Sequence, residues 1–186
     1  ETIFWLLGDE STADETFSSF EQSLVKDYLT QGGKIFISGS EIAWDLDHMG
    51  NELDKSFIND YLKTKYDLDD SNYYEVIGNV ESVFSGLTLH YDNGNYGVYE
   101  ENYPDAFLCI GGSLPALNYG NGLIAATHYT GTISTSQNVS QIFVLGFPFE
   151  TIYDESERVA LVGNVLYYFG YDVQLEKMED QINPEE

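Results

Sequence analysis

A chain of 186 residues that is 42% hydrophobic and 15% aromatic suits one domain with a sizeable core and is too apolar to stay disordered. Its 32 acidic against 7 basic residues leave a net charge of −25, which repels phosphate backbones and anionic lipid and argues against nucleic acid and membrane surfaces as partners. No apolar run approaches the length of a membrane span, and no signal peptide opens the chain at Glu1.

Thr2 to Leu7 is a continuous apolar run, as expected of a strand buried on both faces of a parallel sheet. Gly8-Asp9-Glu10-Ser11-Thr12 reads as the loop leaving its carboxyl end. A helix follows, with Ser18 or Thr16 as its cap and Glu21 placed for a capping box. Phe17, Phe20, Leu24, Tyr28 and Leu29 recur at helical spacing and predict its core stripe, and Gln31-Gly32-Gly33 stops it. Lys34 to Ser38 is the next strand, so a right-handed crossover and parallel pairing are expected.

Residues 41–50 form a polar loop around Trp44, and a second helix is expected over 54–66 with Phe57, Ile58, Tyr61 and Leu62 inward. Between Tyr73 and Thr135 short β-type runs alternate with turn signals such as Asp92-Asn93-Gly94 and Tyr119-Gly120-Asn121-Gly122, which predict antiparallel hairpins. Gln141 to Leu145 returns to a buried strand. A last helix is expected over 155–169, with Val159, Val162, Val165, Leu166 and Phe169 inward and Gly170 as its cap. The domain is thus read as 1–174, with 73–135 a β-rich insertion and 175–186 a polar tail or linker. The chain reads as a domain of a longer protein.

The segments Tyr28-Leu29-Thr30-Gln31-Gly32-Gly33-Lys34-Ile35-Phe36-Ile37-Ser38-Gly39-Ser40, Gln141 to Thr151 and Val162 to Tyr171 together resemble the class I glutamine amidotransferase-like fold, and within it the trehalose-utilisation-protein-like branch. The resemblance covers about the first 66 residues and the last 45. It implies a three-layer α/β, flavodoxin-like domain with a mostly parallel sheet. That family places a cysteine in a Gly-x-Cys-x-Gly elbow and a histidine in a Phe-His-Pro-Glu turn. Here Gly39-Ser40-Glu41 stands at the elbow, and Phe147-Pro148-Phe149-Glu150 puts Pro148 where the histidine belongs. With thiol and base absent, glutamine amidotransfer by that mechanism is not expected.

Ligands of open α/β sheets sit outside the carboxyl ends of the strands. Ser40, Glu41 and Glu150 are therefore the candidate catalytic group, and Asp9, Glu10, Trp44 and His128 the candidate binding group. The carboxylates read equally as caps of the helices that follow. His48, His90 and His128 lack the spacing of a zinc site. Asp45, Asp47 and Asp67-Leu68-Asp69-Asp70 resemble only fragments of calcium loops, so no metal and no cofactor is assigned. Cys109 lies in an apolar run without a neighbouring base and reads as a structural thiol. Asn138-Val139-Ser140 fits a glycosylation acceptor. Tyr91, Tyr96, Tyr99, Tyr103, Tyr119 and Tyr129 accompany Asn, Asp and Gly, a pattern that suits sugar rings or a second small core.

The expected function is a non-catalytic accessory domain of a larger, extracellular or cell-surface protein. Its expected partners are carbohydrate or the other domains of its parent chain. The alternative is a hydrolase built on Ser40, Glu41 and Glu150.

Overall fold

The computed structural model describes residues 1–10 and 15–173. The expected tail 175–186 and the part of the first loop through Ser11 and Thr12 lie outside the described residues. In chain order the elements are strand β1 (Thr2–Gly8), helix α1 (Ser19–Thr30), strand β2 (Lys34–Gly39) and a π-helical turn (Trp44–Met49). Helix α2 (Glu52–Ser56) runs into a second π-helical turn (Phe57–Tyr61). Strands β3 (Thr64–Leu68), β4 (Glu75–Gly78), β5 (Thr88–His90), β6 (Ala106–Cys109), β7 (Leu114–Tyr119), β8 (Ile124–Thr132) and β9 (Val139–Leu145) follow, then helix α3 (Glu155–Tyr168).

The nine strands of the described residues join one sheet, ordered β1-β2-β9-β8-β7-β4-β5, with β6 on β8 and β3 on β6. Among the described residues β1, β2 and β9 pair in parallel, and the other pairings are antiparallel. Strand β8 pairs with three others, and the sheet curls into a half-barrel. The expected three-layer, mostly parallel α/β fold is therefore wrong. Nor do the middle strands form an insertion, because they supply most of the sheet itself. The reason is physical. Ile142 and Val144 face one core and Phe143 and Leu145 the other, so β9 is apolar throughout. Burial of both faces constrains what lies above and below a strand, not the direction of its hydrogen-bonded neighbour. Strand β9 takes β2 in parallel on one edge and β8 antiparallel on the other.

The two faces of the sheet carry two cores. On one, Phe36 and Phe143 stack with centroids 5.5 Å apart in a core shared with Leu161 and Val165 of α3 and Phe169 at its C-terminal cap. On the other, Ile35, Ile37, Ile142 and Val144 pack against Phe17, Val25 and Leu29 of the α1 region and Phe57 and Ile58. The capping box at α1 forms as its sequence predicts: Glu21 N donates to Ser18 Oγ and Ser18 N to Glu21 Oε2. The buried face is displaced from the expected stripe, since Gln22, Val25 and Leu29 are buried while Phe20 and Leu24 are 70% and 48% exposed. The expected loop 41–50 is instead helical from Trp44, and the second helix ends early enough for Tyr66 to join β3.

Candidate functional site

The parallel trio brings three strand exits to one end of the sheet. Gly8 pairs with Gly39, and Ser40 N donates to Gly8 O at 3.0 Å. The exit of β9 is tied to β2 through Ser38, whose hydroxyl donates to Phe147 O at 3.1 Å and accepts from Phe149 N at 2.6 Å. Asp9, Ser40, Glu41 and Glu150 therefore emerge together. Glu41 takes φ 46°, a left-handed conformation that costs a residue with a β-carbon about 1–2 kcal/mol.

The end of the sheet is covered by the chain itself. Residues 91–105 run across it as a strap. Tyr99 Oη donates to Glu150 Oε1 at 2.8 Å, and Ser40 Oγ donates to Glu101 Oε1 at 2.8 Å. Tyr103 N donates to the same Glu101 oxygen at 2.9 Å, and Ala43 N donates to Asp105 Oδ2 at 2.6 Å. The strap is itself organised by Asp92, whose carboxylate accepts from the backbone N–H groups of Asn95, Tyr96 and Val98. Gly146 permits the close approach: Asp105 N donates to its carbonyl at 2.8 Å, and a β-carbon there would lie 2.5 Å from Asp105 O.

Burial dominates the electrostatics. Glu101 is fully buried and its carboxyl is pushed up to about 7, against the opposing hydrogen bonds from Ser40 and Tyr103; the Asp9 and Glu41 charges add to the rise. Burial also holds the fully enclosed Asp105 carboxyl well above the usual carboxylate range. Asp9 is raised by burial first and by the neighbouring Glu150 charge second. Glu101 Oε2, Asp105 Oδ1 and Glu150 Oε2 are buried without a hydrogen-bond partner. For Glu101 and Asp105, whose carboxyls are raised, the neutral form tolerates this better than the charged one. A Ser–Glu pair is thus present, with the carboxylate poised near neutrality. Ser40 is 2% exposed and Glu101 is not exposed at all, so the pair is enclosed by the fold.

Of the remaining sequence candidates, Trp44 and His128 stand away from this group. Glu10 is exposed beside Asp9. The ring of Trp44 stacks on His48 at 4.3 Å and meets Tyr66 edge-on at 5.8 Å, packing the π-helical turn against β3. His128 stands mid-sheet opposite Phe143, its ring against Phe84 and Tyr168, with burial lowering its pKa. Glu101 and Asp105, which with Tyr99 hold the sheet end together, went unnoticed because they belong to a polar stretch with no strand or helix period, and Tyr99, expected beside a sugar or in a second small core, instead donates to Glu150. The one signal was the run Tyr99-Glu100-Glu101-Asn102-Tyr103, where aromatic residues flank carboxylates.

The calcium-loop fragments have other work. Asp45 accepts from Thr16 N and Oγ1, Asp47 from Tyr66 N and Asn59 Nδ2, and Asp70 from Asn72 N. Among the described residues no group of three or more His, Cys, Asp and Glu side chains is arranged to hold a metal ion. Cys109 is half-buried in β6, and burial pushes its thiol up. Tyr91 and Tyr119 belong to the core, whereas Tyr96 and Tyr103 are 55% and 52% exposed. Among the described residues no helix is long and apolar enough to cross a membrane.

No model of a known protein family matches the chain, and no curated protein matches it. Among solved structures it is similar to one described as the mmIFT52 N-terminal domain, with a TM-score of 0.52 and 15% identity over 86% of this chain and 75% of that one. The likeness is one of fold, a curled and mostly antiparallel mixed sheet. With the strand directions, it overturns the resemblance to the class I glutamine amidotransferase-like fold and its trehalose-utilisation branch. The short motifs behind that resemblance, Gly-Gly after a helix and a small-residue turn after a strand, record two strand–helix junctions that many folds share.

Proposed function

We propose that the chain is a non-catalytic binding domain of a larger protein. One observation carries this reading: the strap residues Tyr99, Glu101 and Asp105 occupy the place where an α/β enzyme would hold its substrate. A nucleophilic serine needs a base and an approach path together. Ser40 has a carboxylate partner and no approach path. Hydrolysis of p-nitrophenyl acetate tests the reading. Wild type and Ser40→Ala should show the same slow background rate. A rate that falls at least tenfold in both Ser40→Ala and Glu101→Gln, with folding retained, would establish the hydrolase instead.

For the ligand, a cleft on the opposite arm of the sheet supports carbohydrate. It has a volume of about 270 Å³ and is lined by Asn72, Tyr73, Tyr74, Asn93, Tyr96 and Tyr153 among others. Tyr96 and Tyr153 stack at 3.9 Å with 9° between their planes, a rigid aromatic wall beside amide groups, and this pairing suits a sugar's apolar face and hydroxyl edge. Titration with soluble neutral oligosaccharides, followed by tyrosine fluorescence, should give saturation that Tyr96→Ala abolishes. A response unchanged in Tyr96→Ala would remove this cleft from consideration.

A further inference from the structure

The tyrosine cleft lies at the β5 end of the sheet, where three segments meet. Glu75 of β4 and His90 of β5 pair across the two strands. His90 Nε2 lies 3.1 Å from Glu75 Oε2, and His90 Nδ1 lies 2.8 Å from Glu157 Oε1 of α3. The His90 ring is 6.4 Å from that of Tyr153, which stacks on Tyr96. A carboxylate and a flat aromatic wall therefore line one cavity, joined through a single imidazole. Tyr96 is 55% exposed even with one face on Tyr153, which leaves ring surface for a ligand.

The charge around this cavity is negative for local reasons. Both ring nitrogens of His90 face carboxylate oxygens, and the imidazolium satisfies them by donating from each. Its one positive charge stands against the two carboxylates of Glu75 and Glu157, so one negative charge is left over. Further carboxylates act on the tyrosines of the lining. Tyr74 is raised by burial first and then by the charges of Glu100, Asp70 and Glu101. Tyr153 is raised by burial, by Tyr96 and then by the charges of Glu157 and Asp154. Among the described residues no lysine or arginine lines the cleft. The Glu75 side chain is 55% exposed, so its carboxylate can be reached from solvent.

A neutral sugar would use the aromatic wall and leave this charge unanswered. An ammonium group answers it, because a carboxylate accepts charge-assisted hydrogen bonds and the faces of tyrosine rings attract cations. We propose that the cleft takes an amino sugar, with its ring on the Tyr96 face and its protonated amine on Glu75. Asn72 and Asn93, also in the lining, offer amide groups to the hydroxyls. The assignment rests on the reading of this cleft as a carbohydrate site and adds the charge of the ligand to it.

The test is isothermal titration calorimetry of the full chain in physiological salt at about pH 6, where amines of this kind are protonated. The probe is the β-1,4-linked trisaccharide of glucosamine. Its control is the β-1,4-linked trisaccharide of glucose, which carries a hydroxyl in place of each amine. The glucosamine trisaccharide should bind at least tenfold more tightly than the glucose one. Trilysine, a cation without a sugar ring, should bind at least tenfold more weakly than the glucosamine trisaccharide. Glu75→Gln keeps an oxygen for His90 and should weaken the glucosamine trisaccharide at least tenfold while leaving the glucose one within about twofold. Glu81→Gln removes one charge at an exposed position outside the cleft and should change neither. Tyr96→Ala should weaken both sugars. Circular dichroism checks that each variant is folded, and the comparison of the three ligands on the wild-type chain needs no variant. Equal affinity for the two sugars, or indifference of the glucosamine trisaccharide to Glu75→Gln, would overturn the proposal and leave the carbohydrate reading standing. Trilysine binding as tightly as the glucosamine trisaccharide would overturn it by showing that charge alone is recognised. Binding of neither sugar would remove the carbohydrate reading and this proposal with it.

Discussion

The hydroxyl of Ser40 donates to Glu101 Oε1 at 2.8 Å, joining the tip of β2 to a residue 61 positions later in the chain. This bond fixes the strap to the strand ends, and the acceptor is a carboxyl raised by burial to about 7. The sheet end is therefore closed by a contact whose charge state changes close to neutral pH.

That contact predicts a pH dependence. Glu101 has a folded pKa above its ordinary 4.5, so between pH 4.5 and about 7 the folded chain keeps a proton that the unfolded chain releases. Stability then falls as pH rises through this window, by about 3 kcal/mol at most for a rise of this size. Glu101→Gln keeps an oxygen for Ser40 and Tyr103 and cannot ionise. Its Tm should match wild type near pH 5 and exceed it at pH 8 by roughly 5–10 °C, given about 2–4 °C per kcal/mol in a domain of this length. Parallel Tm–pH curves for the two proteins would show that the Glu101 ionisation does not matter to stability.

His90 predicts the same direction from the opposite charge. Its ring lies 2.8 Å from Glu157 and 3.1 Å from Glu75, tying β5 to α3 and β4. The Glu157 hydrogen bond is the leading cause that raises its pKa above the ordinary 6.5, against partial burial. The stabilisation is complete below pH 6.5 and is lost as pH rises through the raised value. Because the side chain is 36% exposed, solvent screens the pair and the effect is modest. His90→Gln should lower Tm more at pH 6 than at pH 9, measured by differential scanning fluorimetry. A larger loss at pH 9 would refute the ion-pair role.

Two phenylalanines three residues apart should behave in opposite ways. Phe17 is fully buried, with ring contacts to Trp5 at 5.2 Å and Phe57 at 5.2 Å, whereas Phe20 is 70% exposed. Phe17→Ala should cost about 3–5 kcal/mol and Phe20→Ala less than about 0.5 kcal/mol in urea unfolding. Similar losses at both sites would restore the inward stripe that helical spacing alone suggests.

The acidic surface predicts salt-dependent stability. A net charge of −25 implies self-repulsion that is screened over about 8–10 Å at physiological ionic strength. Tm should rise as sodium chloride goes from low to physiological concentration. Calcium should add nothing beyond its ionic strength, because Asp45, Asp47 and Asp70 already accept backbone hydrogen bonds. A saturable rise in Tm at micromolar calcium, absent with magnesium, would make metal ligands of these residues.

The sequence by itself determined the local features: the charge, the Ser18–Glu21 capping box, the apolar runs of β1, β2 and β9, and the Tyr119–Gly122 turn that joins β7 to β8, whereas the Asp92-Asn93-Gly94 signal marks the start of the strap and not a hairpin. Each is written in side chains close together in the chain. Even the meeting of Asp9, Ser40, Glu41 and Glu150 at one end of the sheet follows from the parallel pairing of β1, β2 and β9.

Only the tertiary structure decided that β8 lies antiparallel to β9 and turns the sheet mixed and curled. Strand direction is set by backbone hydrogen bonds along a strand's edges, and those bonds leave no mark on its side-chain pattern. The same limit hid Glu101 and Asp105. Nothing local distinguishes a carboxylate in a polar loop that stays in water from one that crosses the sheet and is buried against Ser40 and Ala43. The face that α1 buries was decided likewise, by the packing of Phe17, Val25 and Leu29 against the Phe57 and Ile58 turn and the sheet.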